Sequence, residues 1–175
     1  MNTIASYFDL DSWQVNGGLA LSINRVEPDF PKWFYVRKET QDLVKVFNEN
    51  VRLKLNTVFV RTSGVGKSTL VVVLAFYMAL HLQKRIVLYR KLKGGGYTML
   101  YLDPEHEQYW RKSTKVDIAD LDLVVNSDFE LCLDGFLQRE IDNDLSNFGR
   151  LTKFRMLATS VQYDMKNDET EVRRR

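Results

Sequence analysis

Residues 57–69 read Thr-Val-Phe-Val-Arg-Thr-Ser-Gly-Val-Gly-Lys-Ser-Thr. A β-rich run, Thr57–Val60, leads into a glycine loop, and the loop leads into an apolar stretch that begins at Lys67. That order suits phosphate binding. A strand ends, successive backbone N–H groups wrap into a nest, and a helix N-terminus is aimed at the anion. Glycine allows the backbone to approach the anion without a Cβ clash. The candidate nucleotide-binding residues are Thr62, Ser63, Gly64, Val65, Gly66, Lys67, Ser68 and Thr69. Lys67 is placed to reach the β- and γ-phosphates, and the Ser68 hydroxyl to complete a magnesium shell. The first glycine of the pattern Gly-x-x-x-x-Gly-Lys-[Ser/Thr] falls on Arg61, so the first turn of this P-loop has to accept a side chain.

Such a loop works with an acid that holds Mg²⁺ through water, placed at the end of a hydrophobic strand. Glu130-Leu131-Cys132-Leu133-Asp134 offers one, with Asp134 as the second metal residue beside Ser68, and Lys67 and Asp134 as the catalytic pair. An aspartate at a strand end before glycine also starts ordinary turns; the P-loop upstream favours the metal reading. Many ATPases place a glutamate directly after this aspartate to activate water. Here Gly135 follows, and the nearest acids are Glu140 and Asp142. Hydrolysis without a positioned base is slow. The apolar run Phe154–Ser160 ends in Thr159 and Ser160, with Gln162 just beyond. Any of the three suits a polar sensor near the γ-phosphate, or equally a hydroxyl that caps backbone groups.

The elements that must position these residues are legible in outline. Val36, Leu43, Val44, Phe47 and Val51 recur at helical spacing, which predicts an amphipathic helix from about Val36 to Leu53. Lys67 to Gln83 is apolar almost all round, which predicts a helix buried on most faces. Strands are expected at Leu19–Ile23, Thr57–Val60, Arg85–Lys91, Tyr97–Asp103, Phe129–Leu133 and Phe154–Ser160. The Gly94-Gly95-Gly96 turn predicts a hairpin between the third and fourth of these. Glu105–Thr114 and Gln138–Leu145 read as helices, and Ile118–Val125 as helical or irregular. Strands alternating with helices favour an α/β sandwich with a largely parallel sheet. The chain divides into an N-terminal extension, 1–33, a core, 34–163, and a charged tail, 164–175.

Composition sets outer bounds. The 175 residues suit one domain, and 45% hydrophobic and 12% aromatic residues are enough for a core. With 25 basic and 23 acidic residues the net charge is +2, too small to argue for nucleic acid or an anionic membrane as partner. Trp33, Trp110 and the tyrosines are not grouped with a basic patch, so core packing is the simpler reading for them than base stacking. One cysteine, Cys132, excludes an internal disulfide, and with two histidines a structural zinc site is not expected. Neither a signal peptide nor a membrane span is legible; the longest apolar run, Leu70 to Leu80, is too short to cross a bilayer.

Phe34-Tyr35-Val36-Arg37-Lys38-Glu39, Thr62–Ser68, Leu133-Asp134-Gly135-Phe136 and Leu157-Ala158-Thr159-Ser160-Val161-Gln162-Tyr163 occur in this order. Over residues 30–168 or so the sequence resembles the P-loop NTPase domain of Crinkler (CRN-type) effector proteins and the related retrotransposon hot spot proteins. The resemblance implies a three-layer, AAA/STAND-like ATPase module that binds ATP and Mg²⁺. In many AAA-like and signalling ATPases a hydrophobic-Gly-Arg-Glu segment at this place packs on the adenine; Phe34–Glu39 matches it loosely, with Val36 in place of the glycine, and reads as a solvated helix start at least as well. The resemblance also implies secretion and action in a host cell, often in the nucleus, yet the family's secretion signal and translocation motif are absent here. The chain stops soon after the sensor-like strand, so a C-terminally truncated module is expected, with strand order 5-1-4-3-2 lacking strand 5. The P-loop strand would then lie at a sheet edge, covered by Leu19–Ile23, by another chain or by a host protein. Two functions stay open: an ATP-binding module with weak or partner-dependent hydrolysis, and a degenerate NTPase fold that serves as a protein-interaction or regulatory domain without nucleotide.

Overall fold

A computed structural model describes residues 13–14, 17–19, 21–60, 66–92, 95–116, 120, 128–137 and 155–159. Strands β1 (Gly18–Leu19) and β2 (Phe34–Tyr35) come first, then α1 (Lys38–Arg52), β3 (Thr57–Val60), α2 (Lys67–Leu80), β4 (Ile86–Lys91), β5 (Tyr97–Asp103), β6 (Gln108–Lys112), β7 (Glu130–Asp134) and β8 (Met156–Thr159). The fold is α/β. Six strands form one sheet in the order β3-β8-β7-β4-β5-β6, and β1 and β2 pair separately.

The sheet is mixed, which corrects the expectation of a largely parallel one. The pairs β3–β8, β8–β7 and β7–β4 are parallel, whereas β4–β5 and β5–β6 are antiparallel. The physical reason lies in two tight connections. The glycines before Tyr97 return the chain directly, with Gly95 and Gly96 at positive φ, and a second turn over Pro104–Glu107, with Glu107 at φ 53°, returns it again. A parallel neighbour would need a crossover of a dozen residues or more.

That second turn also corrects the reading of Glu105–Thr114 as a helix. Gln108–Lys112 is strand β6, paired with Met99–Asp103. Trp110 stacks on Tyr101, its register partner, with ring centroids 5.8 Å apart. Cross-strand aromatic pairs of this kind stabilise a sheet where local helix propensity is weak. The strand expected at Leu19–Ile23 is shorter than foreseen. It covers Gly18–Leu19, pairs with Phe34–Tyr35, and gives way to a 3₁₀ turn at Ile23–Arg25. It does not cover the edge of β3, whose outer side has no strand partner among the described residues.

The two helices follow their apolar patterns. In α1 the core side is made by Val44 and Phe47, with Leu43 and Val51 half-buried beside them. In α2 every residue from Val71 to Leu80 is buried. This helix packs against β4, β5, β7 and β8. Trp13, Leu21, Ile23, Val26 and Phe30 join the same core, so part of the first 33 residues is built into it. A second apolar cluster, including Val87, Tyr89, Leu133, Phe136 and Leu157, lines the other face of the sheet. Among the described residues, no helix is long and apolar enough to cross a membrane.

Candidate functional site

The parallel strands β3, β8, β7 and β4 end on the same side of the sheet, because Val60 is in register with Thr159, Asp134 with Ala158, and Arg90 with Asp134. Ligands of open α/β sheets bind outside the carboxyl ends of such strands. Of the sequence-derived site residues, Gly66, Lys67, Ser68, Thr69, Asp134 and Thr159 are described and gather at this end. Thr62, Ser63, Gly64 and Val65 of the loop lie outside the described residues, as do Arg61, Ser160, Gln162, Glu140 and Asp142 and the expected helix at Gln138–Leu145.

Gly66 is the N-cap of α2 and has φ 82°, a left-handed backbone that glycine adopts without strain. Lys67 opens the helix, and Ser68 follows on its first turn. There the Ser68 Oγ donates a hydrogen bond of 3.0 Å to Asp134 Oδ1, across 66 residues of sequence. Helix start and strand end are thereby joined at a hydroxyl–carboxylate pair. Oxygen donors of this kind are what a hard divalent cation takes. Thr159 is buried at the end of the neighbouring strand β8.

Sequence reasoning missed Arg90 and Glu27. Arg90 Nε donates to Asp134 Oδ2 at 3.2 Å, and its NH1 group donates to Glu27 Oε1 at 3.0 Å. Glu27 is fully buried. It also accepts from Arg111, through Nε at 3.0 Å and NH2 at 3.2 Å. Arg111 in turn reaches the exposed Asp29 at 3.3 Å. The hydrogen bond to Glu27 raises the Arg111 guanidinium above its ordinary value; burial opposes this, and the charges of Glu27 and Asp29 add to the rise. The chain Ser68–Asp134–Arg90–Glu27–Arg111 is a continuous line of charge-assisted hydrogen bonds, the strong class of such bonds. A buried carboxylate needs this pairing, since an uncompensated one is costly. The signal in the sequence was an arginine following the apolar run Ile86–Tyr89 within one strand.

Gly135 explains itself. Its φ is 84°, and a Cβ there would lie 2.9 Å from the Lys91 carbonyl oxygen. Its N–H donates to Ala158 O at 3.0 Å. The position that carries glutamate in many ATPases is here a tight left-handed turn pressed against β4, which suits glycine alone.

Beside the start of α2 lies a cavity of about 620 Å³, in the size range of small-molecule sites. Four elements wall it: Pro31–Tyr35, the start of α1 from Arg37 to Leu43, the Val58–Val60 edge of β3, and Gly66–Leu70. Phe34, Tyr35, Arg37 and Glu39, which the sequence grouped as an adenine-packing segment, therefore share one cavity with Lys67 and Thr69. Trp33, 68% exposed, and the exposed Tyr35 supply flat apolar surface at its rim.

A second polar cluster stands at the opposite end of the sheet. Ligand atoms of Asp103, Glu105 and His106 lie within 4.8 Å of one another. Arg85 already bridges Asp103 and Glu105, and His106 Nδ1 sits 2.9 Å from Asp103. The cluster carries its own cation and is a closed ion-pair corner.

No family model matches this chain, and no curated protein and no solved structure matches it either.

Proposed function

We propose that this chain is a nucleotide-binding P-loop module, of the kind found in Crinkler-type proteins, that takes ATP at the carboxyl end of the parallel strands. The observation that carries this reading is the Ser68–Asp134 hydrogen bond at 3.0 Å. It couples the residue after the P-loop lysine to the acid of a strand two places away in the sheet, the arrangement on which P-loop chemistry depends. The triphosphate lies on the loop and the N-terminus of α2, and the base enters the cavity walled by Trp33, Tyr35, Arg37 and Glu39. Ser68 and Asp134 are the residues that would hold magnesium, which as a bound dication would draw charge from the terminal phosphates.

Hydrolysis is slow in this reading. The backbone at Gly135 leaves no room for an acid beside Asp134, so an efficient general base has to come from elsewhere. The three-layer NTPase architecture belongs to the same proposal, supported by the order β3-β8-β7-β4, in which the loop-bearing strand stands at the edge.

Thermal unfolding with and without Mg-ATP tests it. A ligand at about 100 times its Kd adds about 2.7 kcal/mol, which raises Tm by roughly 5–11 °C in a chain of this size. Lys67→Ala removes the shift. Identical melting with and without ATP, in both the native chain and Lys67→Ala, would overturn the reading and leave a fold that has lost its nucleotide.

A further inference from the structure

Asp134 is engaged on both oxygens: Oδ1 by the Ser68 hydroxyl and Oδ2 by Arg90 Nε. Its side chain is only 6% exposed and that of Arg90 only 11%. Resting on the nucleotide-binding reading above, we propose that Arg90 is a built-in counter-cation of the site, and that it makes triphosphate binding by this chain largely independent of magnesium.

The charges carry the inference. In a P-loop site the acid at the strand end is an anion beside an anionic ligand, and the divalent ion removes that repulsion by sitting between them. Here the anion is already matched. Arg90 and Arg111 bring two positive charges; Asp134 and Glu27 bring two negative ones. Asp134 is thus matched by a cation before any ligand arrives, and an approaching triphosphate does not meet it as a bare carboxylate.

Arg90 is also fixed in place. It stands in β4 in register with Asp134, and its second arm is held by Glu27, which is fully buried. Swinging away from Asp134 would leave Glu27 with only Arg111 and strip a buried acid of half its pairing, a change that is strongly disfavoured. A mobile surface arginine could swing clear of Asp134; this one is braced. Glu27 is thus a positioning residue for the site although it lies some sixty residues upstream of its partner.

Calorimetric titration of ATP into the purified chain, once with excess magnesium and once with EDTA, tests the proposal. The expected Kd values agree within about threefold. The paired variant Glu27→Gln with Arg90→Met removes one charge of each sign and keeps an acceptor for Arg111. In that variant Asp134 has lost the cation that Arg90 supplied, and the EDTA titration weakens by about tenfold or more while the magnesium titration recovers most of the loss. A native chain whose affinity falls tenfold in EDTA overturns the proposal, whether or not the paired variant folds. So does a paired variant with the same small magnesium effect as the native chain. Magnesium-dependent binding sinks this inference alone, whereas absence of ATP binding under both conditions sinks the nucleotide-site reading with it.

Discussion

Replacing Gly135 by alanine puts the geometry behind the slow-hydrolysis reading to a quantitative test. The residue has φ 84°, and an L-residue in that region costs roughly 1–2 kcal/mol. The added Cβ would meet the Lys91 carbonyl oxygen at 2.9 Å and Lys91 Cβ at 3.4 Å. The oxygen belongs to the backbone of a sheet strand and cannot rotate out of the way, so strand and turn must separate. Overpacking of this type costs roughly 1–3 kcal/mol. Alanine restricts the unfolded chain and returns about 0.4–1 kcal/mol. The net destabilisation is about 3 kcal/mol, or about 6–12 °C in Tm. Gly96→Ala is the control. It has φ 80° with nothing within 4 Å of the Cβ position, so it carries the backbone cost less the same unfolded-state return, a net of roughly 1 kcal/mol. Urea unfolding of the three proteins gives both numbers. A Gly135→Ala loss below about 0.5 kcal/mol, or one no larger than that of Gly96→Ala, would refute the close approach to β4 and the exclusion of an acid from that position.

Two further outcomes are expected. Cys132 is buried in β7, and burial pushes its thiol up, with Glu130 adding to the rise and Arg155 opposing it; the folded chain should not react with an aromatic disulfide reagent at pH 8, and rapid reaction before unfolding would contradict the packing of β7. At Asp103 burial pushes the carboxyl up, but the hydrogen bonds from His106 and the charges of His106 and Arg85 outweigh it and hold the group below its ordinary value of 3.8. Because the folded value is the lower one, this contribution is complete above pH 3.8 and is lost as pH falls through the folded value. Asp103→Asn should therefore flatten the acid limb of a Tm–pH curve, and an unchanged acid limb would contradict the ion-pair corner.

The hairpin Ile86–Asp103, the all-round apolar helix α2 and the amphipathic α1 were legible in the sequence because each is written in local periodicity. So were the helix-start serine and the strand-end aspartate, since both sit at fixed places in short motifs. The bond between them belongs to the sheet order, which no local window contains. Helix periodicity misled at Gln108–Lys112, where polar and aromatic residues fit either state and pairing with β5 decided for strand. Gly135 read as a missing catalytic acid, whereas the tertiary structure gives it a positive backbone angle and puts the Lys91 carbonyl oxygen 2.9 Å from where a Cβ would stand.

What the sequence offered by itself was a candidate phosphate loop with its serine and an acid to match it, because the chemistry of anion binding confines residue types to a short stretch. What only the tertiary structure decided was the charge around that acid. Glu27, Arg90 and Arg111 lie 63 and 84 residues apart along the chain, and they meet only because β4, β5 and β6 stack in a fixed register over the segment that carries Glu27. Burial then makes their pairing obligatory, and it is this pairing that turns Asp134 from a bare anion at a strand end into a neutralised one.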